Sequence, residues 1–503
     1  MDITKIIMDL RVTSSQNAPL YLQLANGLAA KIQNFTLAIG TKLPPERELA
    51  KLLNVSRTTV INAYRLLEDQ GLISTKIGSG SYVNEVSQTK QPNGAMPWEQ
   101  LFTPQYTSPL SSILRTLIAP HTFDEAISFA AGMPDPAFYP LYIMEKALPS
   151  SKSHLADADF GYISTEGYLP LKQSLAKWQT EVGIHATPEQ YLIVSGSQQG
   201  LYLIVKAFIA PRDYVIVESP TYLGAIQSFE NSGAHILTLP PSDRLNFELL
   251  EDYLIRYRPK LMYTIPTFQN PTGRVMSLQD RKKLIQLAAK YRLVIVEDDP
   301  YSLLYYEQEP PASLKSLDTY GGIIALGTFS KTVFPGLRTG WITAAQQVID
   351  RLAQEKQHID LHSNNLSQII LHIFLEGGYL TNHLSLIRTE YKKRRDAMVH
   401  ALRHYCNDYL EFTIPEGGFY IWCKVKPPIS VTELIRQSAV VGVTFVPGIA
   451  FYTTGTRSNE IRLCFVTHKE DLIKEGIRRL GKILTSGAAN GTQTIHTAGR
   501  PMI

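Results

Sequence analysis

The chain has 503 residues, which is too long for one ordinary domain and favours about two to four domains, at least one of them large. A hydrophobic fraction of 44% and a charged fraction of 19% are typical of a folded globular protein and exclude the disordered and fibrous classes. The net charge of +4 is too small to indicate a nucleic-acid partner, so such a partner has to be predicted from motifs.

The cysteines and the apolar segments indicate the cellular compartment. Cys406, Cys423 and Cys464 are too few and too irregularly spaced for a disulfide framework or a metal cluster, and we expect buried core thiols in a reducing compartment. Asp2 and Asp9 interrupt the first ten residues, and no apolar run approaches the roughly 18 residues of a membrane span. We therefore expect a cytoplasmic protein without a membrane partner or a metal.

Three short helices and a hairpin are predicted at the N-terminal end. Helical spacing of apolar residues marks the segments 19–33, 45–53 and 56–70. Ser56 is the expected N-cap of the third helix, and Gly71 is its expected stop. Two strand-like runs follow, 72–75 and 81–83, on either side of a glycine-containing turn. This order of elements is typical of a winged helix.

A linker and a larger domain follow the predicted winged helix. Periodicity fades after residue 84, and short β-branched runs then alternate with helical patterns. The predicted strands are 191–194, 214–217, 261–265, 293–296 and 323–326. This alternation predicts an α/β domain around a mostly parallel sheet that is covered on both faces. The predicted domains are 1–85 for the winged helix, 86–112 for the linker, 113–485 for the large domain and 486–503 for a disordered tail.

Polar motifs follow the carboxyl ends of the predicted strands, where open α/β sheets bind ligands. They are Gly196-Ser197-Gln198 at the start of a helix, Tyr222 after Ser219-Pro220-Thr221, Gln269 to Gly273, Glu297 to Tyr301, and Gly327 to Lys331 with Arg338 beyond. Each has an ordinary alternative: a helix cap, a packed tyrosine, a turn, capping aspartates or a solvated lysine. Five such motifs in one order at strand ends favour a single site.

The groups in these motifs fit pyridoxal 5'-phosphate. A lysine amine can condense with its aldehyde, and a carboxylate keeps its pyridine nitrogen protonated. An aromatic ring can stack on the heterocycle. Helix N–H groups, hydroxyls and a guanidinium suit its phosphate.

Residues from about 125 to 480 resemble the class I, fold-type I aminotransferases. The resemblance implies that Lys331 carries the cofactor, that Asp298 pairs with the pyridinium, and that Tyr222 stacks on the ring. It implies that Tyr301 and Asn270 hold the ring hydroxyl. The implied phosphate ligands are Gly196, Ser197, Gln198, Thr328, Ser330 and Arg338, with Tyr162 reaching the phosphate of a partner subunit. A homodimer follows from that last assignment.

The same resemblance assigns an effector or substrate contact. Arg462, within the run Ile461 to Phe465, matches the arginine that binds the α-carboxylate of an amino acid in this family. The alternative for Arg462 is a surface salt bridge.

The first 85 residues resemble the GntR-type winged helix, through Leu43 to Ala50 and Val55 to Val60. A recognition helix that begins Ser-Arg-Thr-Thr presents hydroxyls and a guanidinium suited to phosphate oxygens and guanine edges. The implied DNA contacts are Arg47, Ser56, Arg57, Thr58, Thr59, Lys76 and Gly78. Lys76 stands where relatives often have arginine, so a phosphate contact is kept but a bidentate contact is not.

Both halves in this order resemble the MocR subfamily of GntR regulators. The leading hypothesis is a transcription regulator that binds a double-stranded DNA operator and senses pyridoxal phosphate or an amino-group effector such as an amino acid. The alternative is an active aminotransferase that carries a DNA-binding module. A third hypothesis, a large domain that serves only as a dimerisation scaffold, is disfavoured because a scaffold does not need Lys331 or Asp298.

Overall fold

The computed structural model describes residues 19–33, 37, 40–76, 80–84, 126–143, 161–240, 244–453 and 458–497. The chain divides into two compact units, Met1–Gln105 and Tyr106–Ile503. This division falls within the predicted linker, whose residues 86–112 lie outside the described ones. The exact bounds of the four predicted domains stay predictions.

The N-terminal unit contains the three predicted helices and the predicted hairpin. Its elements are α1 (Leu20–Gln33), α2 (Glu46–Leu52), α3 (Arg57–Asp69), β1 (Ile73–Lys76) and β2 (Gly80–Val83). The Ser56 side chain accepts a hydrogen bond from the Thr59 backbone N–H at 3.1 Å, which confirms Ser56 as the N-cap of α3. The two strands pair antiparallel, with Lys76 opposite Gly80.

The helices of this unit enclose a small core of their own. Leu24 and Leu28 of α1 are fully buried and belong to one apolar cluster with Leu49 of α2 and Leu67 of α3. The Tyr64 hydroxyl donates to the Pro44 backbone carbonyl at 2.8 Å and ties α3 to the segment before α2. The apolar faces read from the sequence are therefore the buried faces.

A seven-stranded sheet forms the centre of the large unit. Its strands are β4 (Tyr191–Val194), β5 (Tyr214–Glu218), β6 (His235–Leu239), β7 (Leu261–Thr264), β8 (Val294–Asp299), β9 (Ile323–Thr328) and β10 (Gly340–Thr343). The order is β4-β10-β9-β8-β7-β5-β6. Neighbouring strands are parallel except β10, which is antiparallel to β4 and β9. The predicted mostly parallel sheet is confirmed.

Helices cover both faces of this sheet. They are α4 (Leu169–Glu181), α5 (Ser197–Phe208), α6 (Leu223–Asn231), α7 (Phe247–Tyr257), α8 (Leu278–Tyr291), α9 (Gln346–Gln357) and α10 (Asn365–Glu376). A two-residue strand, β3 (Ile127–Ser128), precedes them, and α11 (Tyr379–Tyr405) follows them and packs mainly against the last helix of the chain. Alternate residues of one strand enter different cores: Val215 and Val217 pack in one cluster, and Ile216 packs in another. Both faces are apolar, which explains the continuous hydrophobic runs of the central strands.

A second, smaller sheet completes the large unit. It has the order β11 (Leu410–Phe412), β12 (Tyr420–Val425), β15 (Glu460–Cys464), β14 (Val446–Pro447), and all its pairs are antiparallel. Nearby are α12 (Val431–Val440) and β13 (Val443–Thr444), which pairs with β3. The three cysteines are free and buried, as predicted. Within the described parts of the chain, no helix has the length and apolarity needed to cross a bilayer.

The last helix, α13 (Glu470–Thr497), corrects the predicted tail. A disordered segment was expected from residue 486, but the helix continues to Thr497, and residues 498–503 lie outside the described ones. Ile473, Ile477 and Leu480 are fully buried and anchor the first half of α13 in the core. Extension of an anchored helix needs no new nucleus, so a polar sequence can continue it.

Candidate functional site

A cavity of about 270 Å³ lies at the carboxyl ends of the parallel strands of the large sheet. The predicted cofactor and effector residues that line it are Gly196, Ser197, Gln198, Tyr222, Asn270, Asp298, Tyr301, Thr328, Ser330, Lys331, Arg338 and Arg462. Tyr162 does not line it: the residue is 87% exposed, and its ring lies 5.8 Å from that of His362. Residues more than 260 positions apart in the sequence, from both sheets, thus meet in one cavity.

The Lys331 amine lies in this cavity, just beyond β9. Its Nζ donates to the Gly132 backbone carbonyl at 2.7 Å. Burial lowers the pKa of the Lys331 amine to about 8, and the guanidinium groups of Arg462 and Arg338 act in the same direction. A larger fraction of this amine is therefore unprotonated near neutral pH than of an exposed lysine, and the unprotonated amine is the nucleophile.

Only one oxygen of the Asp298 carboxylate accepts a hydrogen bond from the described residues. The Tyr263 hydroxyl donates to Oδ2 at 2.6 Å, whereas Oδ1 is buried and has no hydrogen-bond partner among the described residues. Burial raises the pKa of Asp298 to about 6. A buried acceptor without a donor is costly. An N–H cation in the cavity would satisfy Oδ1, and the pyridinium of pyridoxal phosphate is such a group.

The turn into helix α5 forms an anion cradle. Gly196 has φ 90°, and a Cβ at this position would lie 2.7 Å from Arg338 Nη2, so only glycine lets the guanidinium approach. Arg338 Nη2 also donates to the Ser195 backbone carbonyl at 3.0 Å. The first N–H groups of α5 have no acceptor within the helix and carry its positive end. Thr328 and Ser330 add hydroxyls 3.0 Å apart. This set fits a phosphate.

The Arg462 guanidinium is buried in the cavity wall and is not a surface ion pair. Its Nη1 donates to Asn270 Oδ1 at 2.8 Å, and its Nη2 donates to the Ala130 backbone carbonyl at 2.7 Å. Its Nε has no partner among the described residues. The guanidinium carbon lies 3.9 Å from the centre of the Tyr420 ring. Both of these acceptors are neutral, so the buried cation would gain from a carboxylate ligand.

Aromatic side chains complete the cavity. The Tyr222 hydroxyl donates to Gln198 Oε1 at 3.1 Å, and the Tyr301 hydroxyl donates to the Tyr420 hydroxyl at 3.2 Å. Burial raises the pKa of Tyr222 to about 12, so this phenol stays protonated as a donor.

Ala130, Gly132, Tyr420 and Phe451 are among the lining residues that sequence reasoning missed. They come from the segment after the two-residue strand β3, from β12 of the smaller sheet and from the segment after β14, so no strong strand-end pattern marked them. Gly132 is a glycine for a physical reason, because a Cβ there would lie 1.8 Å from the Tyr420 hydroxyl oxygen.

Four of the seven predicted DNA contacts, Ser56, Arg57, Thr58 and Thr59, lie at the start of α3. Arg57 Nε and Nη2 donate to Glu46 Oε2 at 3.2 and 3.0 Å, while the Arg57 side chain remains 53% exposed. Ser56, Thr58 and Arg47 are exposed, and Thr59 is half-buried. Lys76 ends β1 in the hairpin, and Gly78 lies outside the described residues.

Comparison with known proteins identifies both units. A family model described as aminotransferase class I and II matches residues 134–480, and one described as bacterial regulatory proteins, gntR family, matches residues 20–83. The HTH-type transcriptional regulator YisV of Bacillus subtilis is 34% identical over 89% of this chain and 92% of its own length. This chain belongs to the MocR subfamily of GntR-type regulators. It is a regulator with a DNA-binding module fused to an aminotransferase-like domain.

Enzymes resemble the large unit of this MocR-type chain. Aromatic-amino-acid aminotransferase 1 of Thermococcus litoralis is 38% identical over 77% of the chain and 95% of the enzyme. The crystal structure of LysN, an alpha-aminoadipate aminotransferase from Thermus thermophilus complexed with N-(5'-phosphopyridoxyl)-L-leucine, has a TM-score of 0.72 at 35% identity, covering 78% of this chain and 100% of LysN. The family confirms the fold and pyridoxal 5'-phosphate as the cofactor; the individual residue roles stay predictions.

Proposed function

We propose that this MocR-type protein binds pyridoxal phosphate at Lys331, senses the cofactor or an amino-group effector there, and adjusts its binding to operator DNA accordingly. The observation that carries the proposal is the buried Asp298 Oδ1, which has no partner among the described residues and faces the same cavity as Lys331. A domain that bound no cation would have no use for a buried carboxylate oxygen without a donor there.

The proposed cofactor roles follow the chemistry of each lining group. Pyridoxal phosphate supplies an aldehyde and an electron-withdrawing ring. Lys331 holds the cofactor covalently through its amine, and Asp298 accepts from its ring nitrogen. Tyr222 packs against its ring. Asn270 and Tyr301 hold its ring hydroxyl, and the phosphate is held by Gly196, Ser197, Gln198, Thr328, Ser330 and Arg338.

The effector proposed is an amino acid. The Arg462 guanidinium offers an unpartnered Nε to a carboxylate, and Asn270 fixes the plane of the guanidinium through Nη1. The amine of the same ligand would lie toward Lys331, which lines the same cavity. The leucine adduct in the LysN structure supports an amino acid at the corresponding place in that relative.

We further propose that the protein is a cytoplasmic homodimer. Operator DNA lies in the cytoplasm of bacteria, and the GntR-type module requires access to it. The exposed Tyr162 side chain supports the dimer, because a tyrosine that completes a partner's phosphate site stands outside its own cavity. The symmetry of a dimer also suits an operator with two half-sites.

The alternative is an active aminotransferase. It is favoured by one observation: the groups that transamination needs, apart from Tyr162, line a single cavity. The two functions differ in a measurable product. If the protein makes keto acid from amino acid over many turnovers and binds no DNA fragment from the region beside its own gene, the enzyme hypothesis replaces the regulator.

The cofactor assignment is tested by visible absorbance of the purified protein. We expect the band of lysine-bound pyridoxal phosphate in the wild type and its loss in Lys331→Ala. Lys290→Ala is the control, because Lys290 is an exposed lysine paired with Glu251 at 2.8 Å. A band that persists in Lys331→Ala would refute the assignment.

A further inference from the structure

A second cavity of about 260 Å³ lies in the large unit beside the cofactor site. Pro300 and Thr328 line both cavities, so the two share part of a wall. Of the residues given a cofactor or effector role above, only Thr328 lines this second space, which we call the rear cavity.

The wall of the rear cavity is predominantly acidic. Glu297, Asp299 and Glu309 contribute three carboxylates, and Arg388 contributes a guanidinium. The guanidinium carbon lies 3.7 Å from the centre of the Tyr305 ring, and Nε donates to a backbone carbonyl at 2.7 Å; both partners are neutral, so the positive charge of Arg388 remains. The buried Arg281 guanidinium also acts electrostatically on Glu297 and Asp299. Three carboxylates and two guanidinium groups leave one formal negative charge in excess, which favours a cation.

Two polar side chains in this wall have capacity for a ligand. Asp299 is half-buried, and its carboxylate accepts hydrogen bonds from the Ser302 backbone N–H at 2.9 Å, from the Ser302 side chain and from the Tyr301 backbone, which leaves room for one more donor. The Thr332 side chain is 3% exposed, and its hydroxyl has no partner among the described residues. Glu297 is less available, because it accepts from the backbone N–H groups of Leu314 and Lys315.

Other residues of the wall are aromatic or apolar. Trp178 and Trp341 meet edge to face with ring centres 5.9 Å apart, and Val182, Ile184 and Leu384 extend the apolar surface. Aromatic faces combined with carboxylates recognise organic cations. The volume lies near the lower end of small-molecule sites, so the ligand is small.

We propose that the rear cavity is a second ligand site that binds a small protonated amine with an aromatic or branched apolar body. The ammonium group lies against Asp299 and the Thr332 hydroxyl, and the apolar body lies against Trp178 and Trp341. This site does not depend on the cofactor assignment, because it uses none of the groups that hold the cofactor's ring.

Calorimetric titration of the full-length, cofactor-loaded protein with N,N-dimethylphenethylamine tests the proposal. This tertiary amine cannot condense with an aldehyde, so it does not react at Lys331. We expect saturable binding at one site per chain and at least about tenfold weaker binding in Asp299→Asn and in Thr332→Val. Uncharged 2-phenylethanol should give no saturation.

Controls separate this site from the cofactor site. Asp252→Asn removes an exposed carboxylate on α7 and should bind the amine as the wild type does. Lys331→Ala should also bind it, even if the proposed function fails. If Asp299→Asn does not fold, Glu309→Gln replaces it as the charge test.

Several results would overturn the proposal. These are no saturable binding by the wild type, equal binding of 2-phenylethanol, or unchanged affinity in Thr332→Val together with unchanged affinity in the folded carboxylate variant. Loss of amine binding in Lys331→Ala would assign the amine to the cofactor cavity instead.

Discussion

Single residues carry the chemistry of the cofactor site, and several of them could be predicted because they lie at the carboxyl end of a predicted strand. Lys331 and Asp298 were predicted in this way. Gly132 and Tyr420 were not, because their positions depend on the close contact between a loop after β3 and the small sheet. Arg462 was predicted by resemblance alone; its burial and its contact with Asn270 are tertiary facts.

Asp298 predicts how stability depends on pH in the cofactor-free protein. Its folded pKa of about 6 lies above its ordinary value of 3.8, so its protonation favours the folded state. That contribution is fully present below about pH 4 and is lost as the pH rises through 6. Asp298→Asn removes this pH-dependent loss of folding stability, which is at most about 3 kcal/mol.

The measurement is the thermal midpoint of the cofactor-free wild type and variant between pH 4 and pH 8. We expect the thermal midpoint of Asp298→Asn to rise relative to that of the wild type as the pH rises. Asp252→Asn, at an exposed position, is the control. A constant difference across this range would contradict the burial argument.

Lys331 predicts the pH dependence of cofactor capture. Because the amine has a pKa of about 8, the rate at which cofactor-free protein regains the bound absorbance should rise with pH up to about 8 and then level off. Stopped-flow absorbance measures this rate. A rise that continues to pH 10 would show that the amine titrates like an exposed lysine.

Elements were predicted where local sequence decides them. Strands such as β4 and β9 are short apolar runs, and α3 has a capping serine and an apolar stripe. The position of β10 between β4 and β9, antiparallel to both, could not be predicted, because pairing across more than 140 residues depends on the assembled core. Residues 486–497 were expected to be disordered but continue α13, because polar composition was given more weight than helix extension.

Helix α3 predicts separable effects on stability and on DNA binding. Ser56→Ala removes the cap and should destabilise the N-terminal unit by about 1 kcal/mol, whereas Thr58→Ala at an exposed neighbouring position should change its stability much less. Thermal unfolding followed by circular dichroism measures both. Equal stability of the two variants would show that the cap is not needed.

Arg57 begins α3, and its guanidinium is paired with Glu46 of α2. We expect this guanidinium to contact the bases of the operator. We expect Arg57→Ala to abolish specific binding and to leave the cofactor absorbance unchanged. Arg256→Ala, an exposed arginine paired with Asp252, is the control. Unchanged operator affinity in Arg57→Ala, measured at one fixed salt concentration, would refute the recognition-helix assignment.

At the scale of the whole molecule, two units with separate cores share one chain, and the sequence predicted this from the loss of periodicity between them. The strand order of the large sheet could not be predicted, because it depends on crossovers between distant segments. The place of the cofactor cavity could nevertheless be predicted, because parallel strands bring their carboxyl ends to one edge of the sheet whatever their order.

The central claim is that occupancy at Lys331 changes the affinity of the protein for its operator. A ligand can shift this equilibrium only through a difference in its affinity for two states of the protein. The most direct measurement is operator affinity at fixed salt with and without pyridoxal phosphate and amino acids, for the wild type and Lys331→Ala. We predict a ligand-dependent change in the wild type and none in the variant. The same affinity under all conditions, or an equal change in Lys331→Ala, would contradict the account.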